Sequence, residues 1–133
     1  MSQVAAVVVV AFGLLLIVVT GVAFAKPAVA ESFLMRFASS ARAHYLEQIF
    51  RLLIGAALIV LSPAMWQPTM FGLVGWAIVV SSAALMCVPW QWHHRFGERM
   101  LPIVVRHLRL YAVGLLAFGA LLLYGVFAGG RAA

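Results

Sequence analysis

Three side chains that can exchange protons or pair with charges lie close together in the first half of this sequence: His44, Glu47 and Arg51. Their spacing of three and four residues puts them on one face of a continuous helix, and Glu47 followed by Arg51 four positions later favours an ion pair. Two interpretations remain open. The three residues form either a proton or cation relay or an acidic anchor for a cationic substrate, or they form an interfacial ion pair that fixes the height of a helix in a membrane.

The depth of these residues makes them the leading candidate site. Only about 15 apolar residues separate Arg51 from Trp66, whereas a helix needs about 20 residues to cross a hydrocarbon core of about 30 Å. A full crossing would therefore draw Arg51 toward the hydrocarbon edge. Ionisable groups at that depth are costly and usually face protein or water.

A second group of residues has side chains that can bind soft metal ions: Cys87, His93, His94, Met100 and His107. Their spacing disfavours a metal site, because adjacent histidines do not converge from a helix and no Cys-x-x-Cys or His-x-x-x-His pair occurs. A haem is disfavoured further, since two histidines that face each other at membrane depth are not evident. We therefore expect no metal and no cofactor.

The charged residues are confined to two windows, and they are expected to contact lipid headgroups. Eleven of the twelve charged side chains lie within Lys26 to Arg51 or Arg95 to Arg109. Basic and aromatic side chains are typical of the boundary between hydrocarbon and water, where anionic lipids attract them. The candidate headgroup contacts are Arg36, Arg42, Trp90, Trp92, His93, His94, Arg95, Arg99, Arg106 and Arg109.

Four apolar stretches surround these windows, at about 4–25, 48–66, 70–88 and 106–128. The 133-residue chain is 66% apolar and 9% charged, with a mean hydropathy of +1.12. That composition leaves too few polar side chains to cover a soluble globule. We predict an all-α fold, a single domain that forms an integral membrane four-helix bundle. The apolar stripe between residues 30 and 49 predicts an amphipathic interfacial segment that bends directly into the second span.

The second charged connection is expected to be less regular than the first. Pro89 and Gly97 predict breaks, and Pro102 suits the first turn of a new helix that runs from about Leu101 through the fourth span. The first stretch ends in Ala23-Phe24-Ala25, which matches the small residues of a signal-peptide cleavage site. We expect this stretch to be retained as a helix, because no Lys or Arg side chain precedes it.

Orientation follows from the distribution of positive charge. Eight Lys and Arg residues lie on the two long connections, and one, Arg131, lies on the opposite side. The positive-inside rule then predicts a bacterial-type inner membrane protein with both termini in the periplasm. The basic residues flank apolar spans, so we expect anionic headgroups as partners and no nucleic acid.

Small residues occur in every span, and those at Gly55, Gly72, Gly75, Gly114 and Gly119 are the candidates for close helix packing. The chain contains no Asp, which excludes a Ser-His-Asp triad, and an enzyme is disfavoured. The leading hypothesis is an interaction or accessory subunit of a larger membrane assembly, or a homo-oligomer. The alternative is a small transporter or channel that uses Glu47, and a membrane enzyme acting on lipid or quinone ranks third.

Overall fold

The computed structural model describes residues 2–38 and 40–132, which are almost entirely helical. Four helical stretches are long and apolar enough to cross a membrane, at Gln3–Ala25, Ala41–Ala64, Pro68–Cys87 and Leu108–Gly129. This confirms the predicted all-helical class and the four apolar segments, and it suggests a multi-pass membrane protein. In chain order the helices are α1 (Ser2–Ala25), α2 (Pro27–Ala38), α3 (Ala41–Leu61), α4 (Pro68–Cys87), α5 (Trp90–Arg106) and α6 (Leu108–Ala132), with a 3-10 turn at Ser62–Ala64 between α3 and α4.

The long helices pack as two close pairs, α1 with α6 and α3 with α4, and contacts between α1 and α3 join the pairs. The shared core includes Val9, Leu58 and Leu122, all fully buried. At the end of the molecule that holds the 3-10 turn, the Trp66 amide donates a hydrogen bond to the Gly125 carbonyl at 2.9 Å. The shorter helices α2 and α5 contact each other at the opposite end, where both also contact α3.

Within each pair, glycine allows the two helices to approach closely. A Cβ atom on Gly75 would lie 2.9 Å from the Gly55 carbonyl oxygen, and one on Gly119 would lie 2.9 Å from the Gly13 carbonyl oxygen. Contacts of that length essentially exclude a side chain, because the opposing atom belongs to a backbone that cannot rotate away. Gly72 is less confined, with its Cβ position 3.3 Å from the Ser62 hydroxyl. Gly114 faces open space, and no atom of another described helix lies within 4 Å of its Cβ position.

The segment between α1 and α3 differs from the predicted helix that bends directly into the second span. Ser40 is extended, with φ −126° and ψ 132°, and its hydroxyl accepts a hydrogen bond from the Ala43 amide at 3.4 Å. A serine in this conformation is a typical N-cap, because its side chain satisfies an amide that the first turn leaves unpaired. The chain therefore ends one helix at Ala38 and starts another at Ala41.

The predicted helix start near Leu101 is wrong, because α5 continues through Gly97 and Pro102 to Arg106. The break falls instead at His107, and α6 begins at Leu108. A proline inside a helix removes one backbone hydrogen bond, here to the Glu98 carbonyl. Glu98 and Pro102 both lie on the exposed side of α5, where solvent or headgroups can bind that carbonyl.

Candidate functional site

The helix α3 carries all three residues of the leading candidate site. His44 is buried, whereas the side chains of Glu47 and Arg51 are each 34% exposed. Arg51 Nη1 lies 3.9 Å from Glu47 Oε1, and Arg51 Nη2 donates a hydrogen bond to the Ser81 hydroxyl at 3.0 Å. Exposed ion pairs of this length contribute little free energy. The contact with Ser81 matters more for position, because it ties the guanidinium of α3 to α4.

His44 also meets a histidine from α5. The Nδ1 atoms of His44 and His93 lie 2.6 Å apart, and the ring centroids are 4.5 Å apart. A hydrogen bond between two imidazole nitrogens requires one donor and one acceptor, so a single proton is held between the facing atoms. Two facing histidines were not predicted from the sequence, because spacing within one helix does not reveal a partner on another helix. These two residues are 49 positions apart.

The two histidines line a half-open pocket of about 490 Å³ between α2, α3 and α5. The helix α5 contributes residues at intervals of three and four, which shows that one of its faces is turned toward the pocket. Glu47 is the only acidic side chain in the lining. The full set is Phe33, Leu34, Ser40, His44, Glu47, Trp90, His93, His94, Gly97, Met100, Leu101 and Val104.

The surroundings of His93 disfavour its protonated form. Burial lowers the pKa of His93 below its ordinary value of 6.5, and the neighbouring His44 and Arg51 lower it further, while Glu47 opposes them. A pKa below 6.5 leaves His93 neutral at pH 7. The His44–His93 pair is therefore suited to share a proton without carrying two positive charges.

This shift predicts a pH dependence of stability. The folded protein binds the His93 proton less readily than the unfolded chain, so the stabilisation is complete above about pH 6.5 and is lost as the pH falls through the lowered pKa. Thermal unfolding in detergent should show a larger loss of stability between pH 8 and pH 5 for the parent than for His93→Gln. His107→Gln, at an exposed histidine outside the pocket, should behave like the parent. If stability depends on pH in His93→Gln as it does in the parent, the lowered pKa of His93 is contradicted.

Beside these residues the structure contains buried polar atoms that have no hydrogen-bond partner among the described residues: His44 Nε2 and both amide atoms of Gln48. Gln48 is fully buried, one turn beyond His44 on α3. Gln48 was not among the residues predicted from the sequence, although its spacing from His44 and Arg51 places it on the same side of the helix. Unpaired buried polar groups cost free energy, so they mark places that a ligand or water can satisfy.

The other predicted site residues are not part of the His44–His93 pair. Among the predicted headgroup contacts, His94 Nε2 lies 3.0 Å from Glu98 Oε1. Of the possible metal ligands, Cys87 and His107 are exposed and do not line the pocket. No group of three His, Cys, Asp or Glu side chains suited to a metal ion occurs within residues 2–38 and 40–132. Trp90 and His93 are half-buried and line the pocket. The remaining predicted headgroup contacts are exposed, namely Arg36, Arg42, Trp92, Arg95, Arg99, Arg106 and Arg109.

Comparisons with protein-family models, curated proteins and solved structures found no match to this chain. The fold and the site alone therefore define its class. It is a small all-helical protein with four apolar helices, whose polar pocket lies at the end where α2 and α5 meet.

Proposed function

We propose that this chain is a small multi-pass subunit of a bacterial-type inner membrane, which acts by binding another membrane protein or a second copy of itself. The observation that carries this proposal is the outer face of α4. Only 17% of the apolar window of α4 is buried within the chain, the lowest share of the four spans. The exposed face includes Leu73, Trp76, Ala77, Val80 and Ala84.

The composition of this face favours a protein neighbour over lipid. Trp76 is 56% exposed and lies eight residues from the start of α4, about 12 Å along the helix. Tryptophan in membrane helices prefers the headgroup level, so an outward-facing tryptophan at this depth suits a pocket on a partner. The adjacent Ala77 and Ala84 permit the close approach of a second helix.

A photo-crosslinking residue in place of Trp76 tests this proposal in intact membranes. We expect one discrete crosslinked product, either at twice the chain mass or at the mass of this chain plus one partner. The same residue in place of Val113, which is exposed on α6, is the matched control and should give mainly lipid adducts. Lipid adducts alone at both positions would count against the α4 face.

In the proposed arrangement the four long helices form a bundle within the bilayer, and α2 and α5 lie at its cytoplasmic surface among anionic headgroups. The basic residues of both connections support this orientation. The turn at the opposite end carries no charged side chain. Both termini are then periplasmic.

Cysteine labelling tests this topology with two matched substitutions. In a Cys87→Ser background, Gln67→Cys should react with an impermeant thiol reagent from the periplasmic side, whereas Gln91→Cys should not. Both glutamines are exposed, so burial does not account for a difference. Labelling of position 91 from outside would contradict the orientation.

A second candidate function, proton or cation transport, is favoured by the surroundings of Glu47. Its carboxylate lines the same pocket as the His44–His93 pair. A carboxylate beside two histidines that share one proton is a plausible relay at the edge of a membrane.

Glu47→Gln separates the two candidate functions, because it removes the charge at nearly constant shape. Under the subunit proposal the free energy of unfolding should change by less than about 1 kcal/mol, since partly exposed ion pairs contribute little, and assembly should survive. Loss of a pH-driven flux in vesicles, with normal elution in detergent, would support the transporter instead. Glu98→Gln is the matched control, because Glu98 is exposed and lies outside the pocket lining.

A further inference from the structure

The polar pocket continues into a second, apolar pocket. The second pocket has a volume of about 560 Å³ and lies between α1, α2 and the α5–α6 segment. Phe33, Leu34 and Val104 line both pockets, so the two share a wall. Among the described residues, only apolar side chains line the second pocket apart from Tyr111, and they include Val19, Ala30 and Leu115.

The two parts together have the shape and polarity of a site for an amphiphile. The polar part offers hydrogen-bonding groups at the end of the molecule where the charged connections lie, and the apolar part extends along the long helices α1 and α6. Pockets that bind small molecules have volumes of about 300–1,000 Å³ and combine an apolar lining with a few convergent polar groups. Each part falls within that range.

The chemistry of the pocket lining limits which kind of headgroup the site can bind. Among the described residues, the polar lining contains Glu47 but no Lys or Arg, and Arg51 is engaged by Glu47 and Ser81, so the lining itself offers a phosphate no cation to neutralise it. The half-buried His93 lines this part of the site beside His44, with the two Nδ1 atoms 2.6 Å apart. Imidazoles can donate to a carbonyl oxygen or accept from a hydroxyl. The indole of Trp90 lines the same pocket and can stack on a flat ring.

We propose that the two pockets form one binding site for a prenylquinone, with the neutral quinone ring beside His44 and His93 and the isoprenoid chain in the apolar pocket. A quinone carbonyl or quinol hydroxyl would hydrogen-bond to the imidazole of His93, which is half-buried and lines the pocket. This site goes beyond the subunit proposal and does not depend on it, because binding at this pocket leaves the outer face of α4 free.

Fluorescence quenching by decylubiquinone tests this site in the full-length protein. A variant that keeps Trp90 as its only tryptophan, with Trp66, Trp76 and Trp92 replaced by Phe, should show saturable quenching in detergent. The same quinone ring without its alkyl tail should bind at least about tenfold more weakly, because the tail supplies the apolar burial. Quenching that rises linearly without saturation, or equal binding of the tailless ring, would overturn the proposal.

Two matched pairs of variants test the two parts of the site. Val104→Phe fills the shared wall and should weaken decylubiquinone binding about tenfold or more, whereas Val113→Phe, at an exposed position on α6, should not. His93→Leu removes a polar partner and should also weaken binding by about tenfold, whereas His107→Leu should not. If both variants of a pair lose decylubiquinone binding equally while their helicity is unchanged, the proposed site is overturned.

Competition distinguishes a quinone from an ordinary lipid. Lysophosphatidylcholine at the same concentration as decylubiquinone should leave the saturable quenching unchanged. Displacement by this phospholipid would show a general lipid groove and would overturn the quinone assignment.

Discussion

Gly75→Val should destabilise the protein by about 1–3 kcal/mol, the usual cost of forcing extra atoms into a closely packed interface. A Cβ atom at this position would lie 2.9 Å from the Gly55 carbonyl oxygen and 3.1 Å from the Ile59 amide nitrogen. Both opposing atoms are backbone, so no side-chain rotation relieves the clash, and α3 and α4 must separate. Separation would also stretch the hydrogen bond from Arg51 to Ser81. Thermal unfolding followed by circular dichroism in detergent measures the loss.

Gly114→Val is the matched control. It makes the same substitution within a long apolar helix, so the difference in helix propensity is the same. No atom of another described helix lies within 4 Å of the Gly114 Cβ position, and the change in stability should stay within about 0.5 kcal/mol. Equal melting temperatures for the two variants would contradict the close contact between α3 and α4.

Gln48→Leu should stabilise the protein, by about 1–3 kcal/mol, the range expected for a buried polar group without a partner. Gln48 is fully buried, and both of its amide atoms lack hydrogen bonds among the described residues. Leucine has a similar volume and no polar atom to desolvate. A higher melting temperature in detergent is the expected result.

Gln91→Leu serves as the control for this substitution, because Gln91 is exposed on α5 and the change there should have little effect on stability. A fall in the melting temperature of Gln48→Leu would show that the amide of Gln48 is satisfied in the folded protein. A bound water or ligand beside His44 would then be the simplest explanation.

The sequence predicted those features of the fold that depend on local pattern. Long apolar runs identified four helices, and the spacing of His44, Glu47 and Arg51 placed them on one helix. The N-cap at Ser40 and the passage of α5 through Pro102 were not predicted. Both depend on how neighbouring groups satisfy the backbone, which hydrophobic periodicity does not encode.

The sequence did not predict which helices pack against each other, or the features that depend on this packing. The contact between His44 and His93 exists because the inner face of α5 is turned toward α3, and no pattern within either helix specifies that docking. The same holds for glycine. Gly75 and Gly114 look alike in sequence, yet one lies against the Gly55 backbone and the other faces open space.

The central claim is that this chain works as a bound subunit, through the exposed face of α4. Native mass spectrometry of the protein extracted in mild detergent tests it most directly. We expect a stoichiometric complex, with a copy of itself or with one identified membrane protein, and we expect Ala77→Phe to dissociate it while Val113→Phe does not. A monomer as the sole species, together with a pH-driven ion flux that Glu47→Gln abolishes, would contradict the claim.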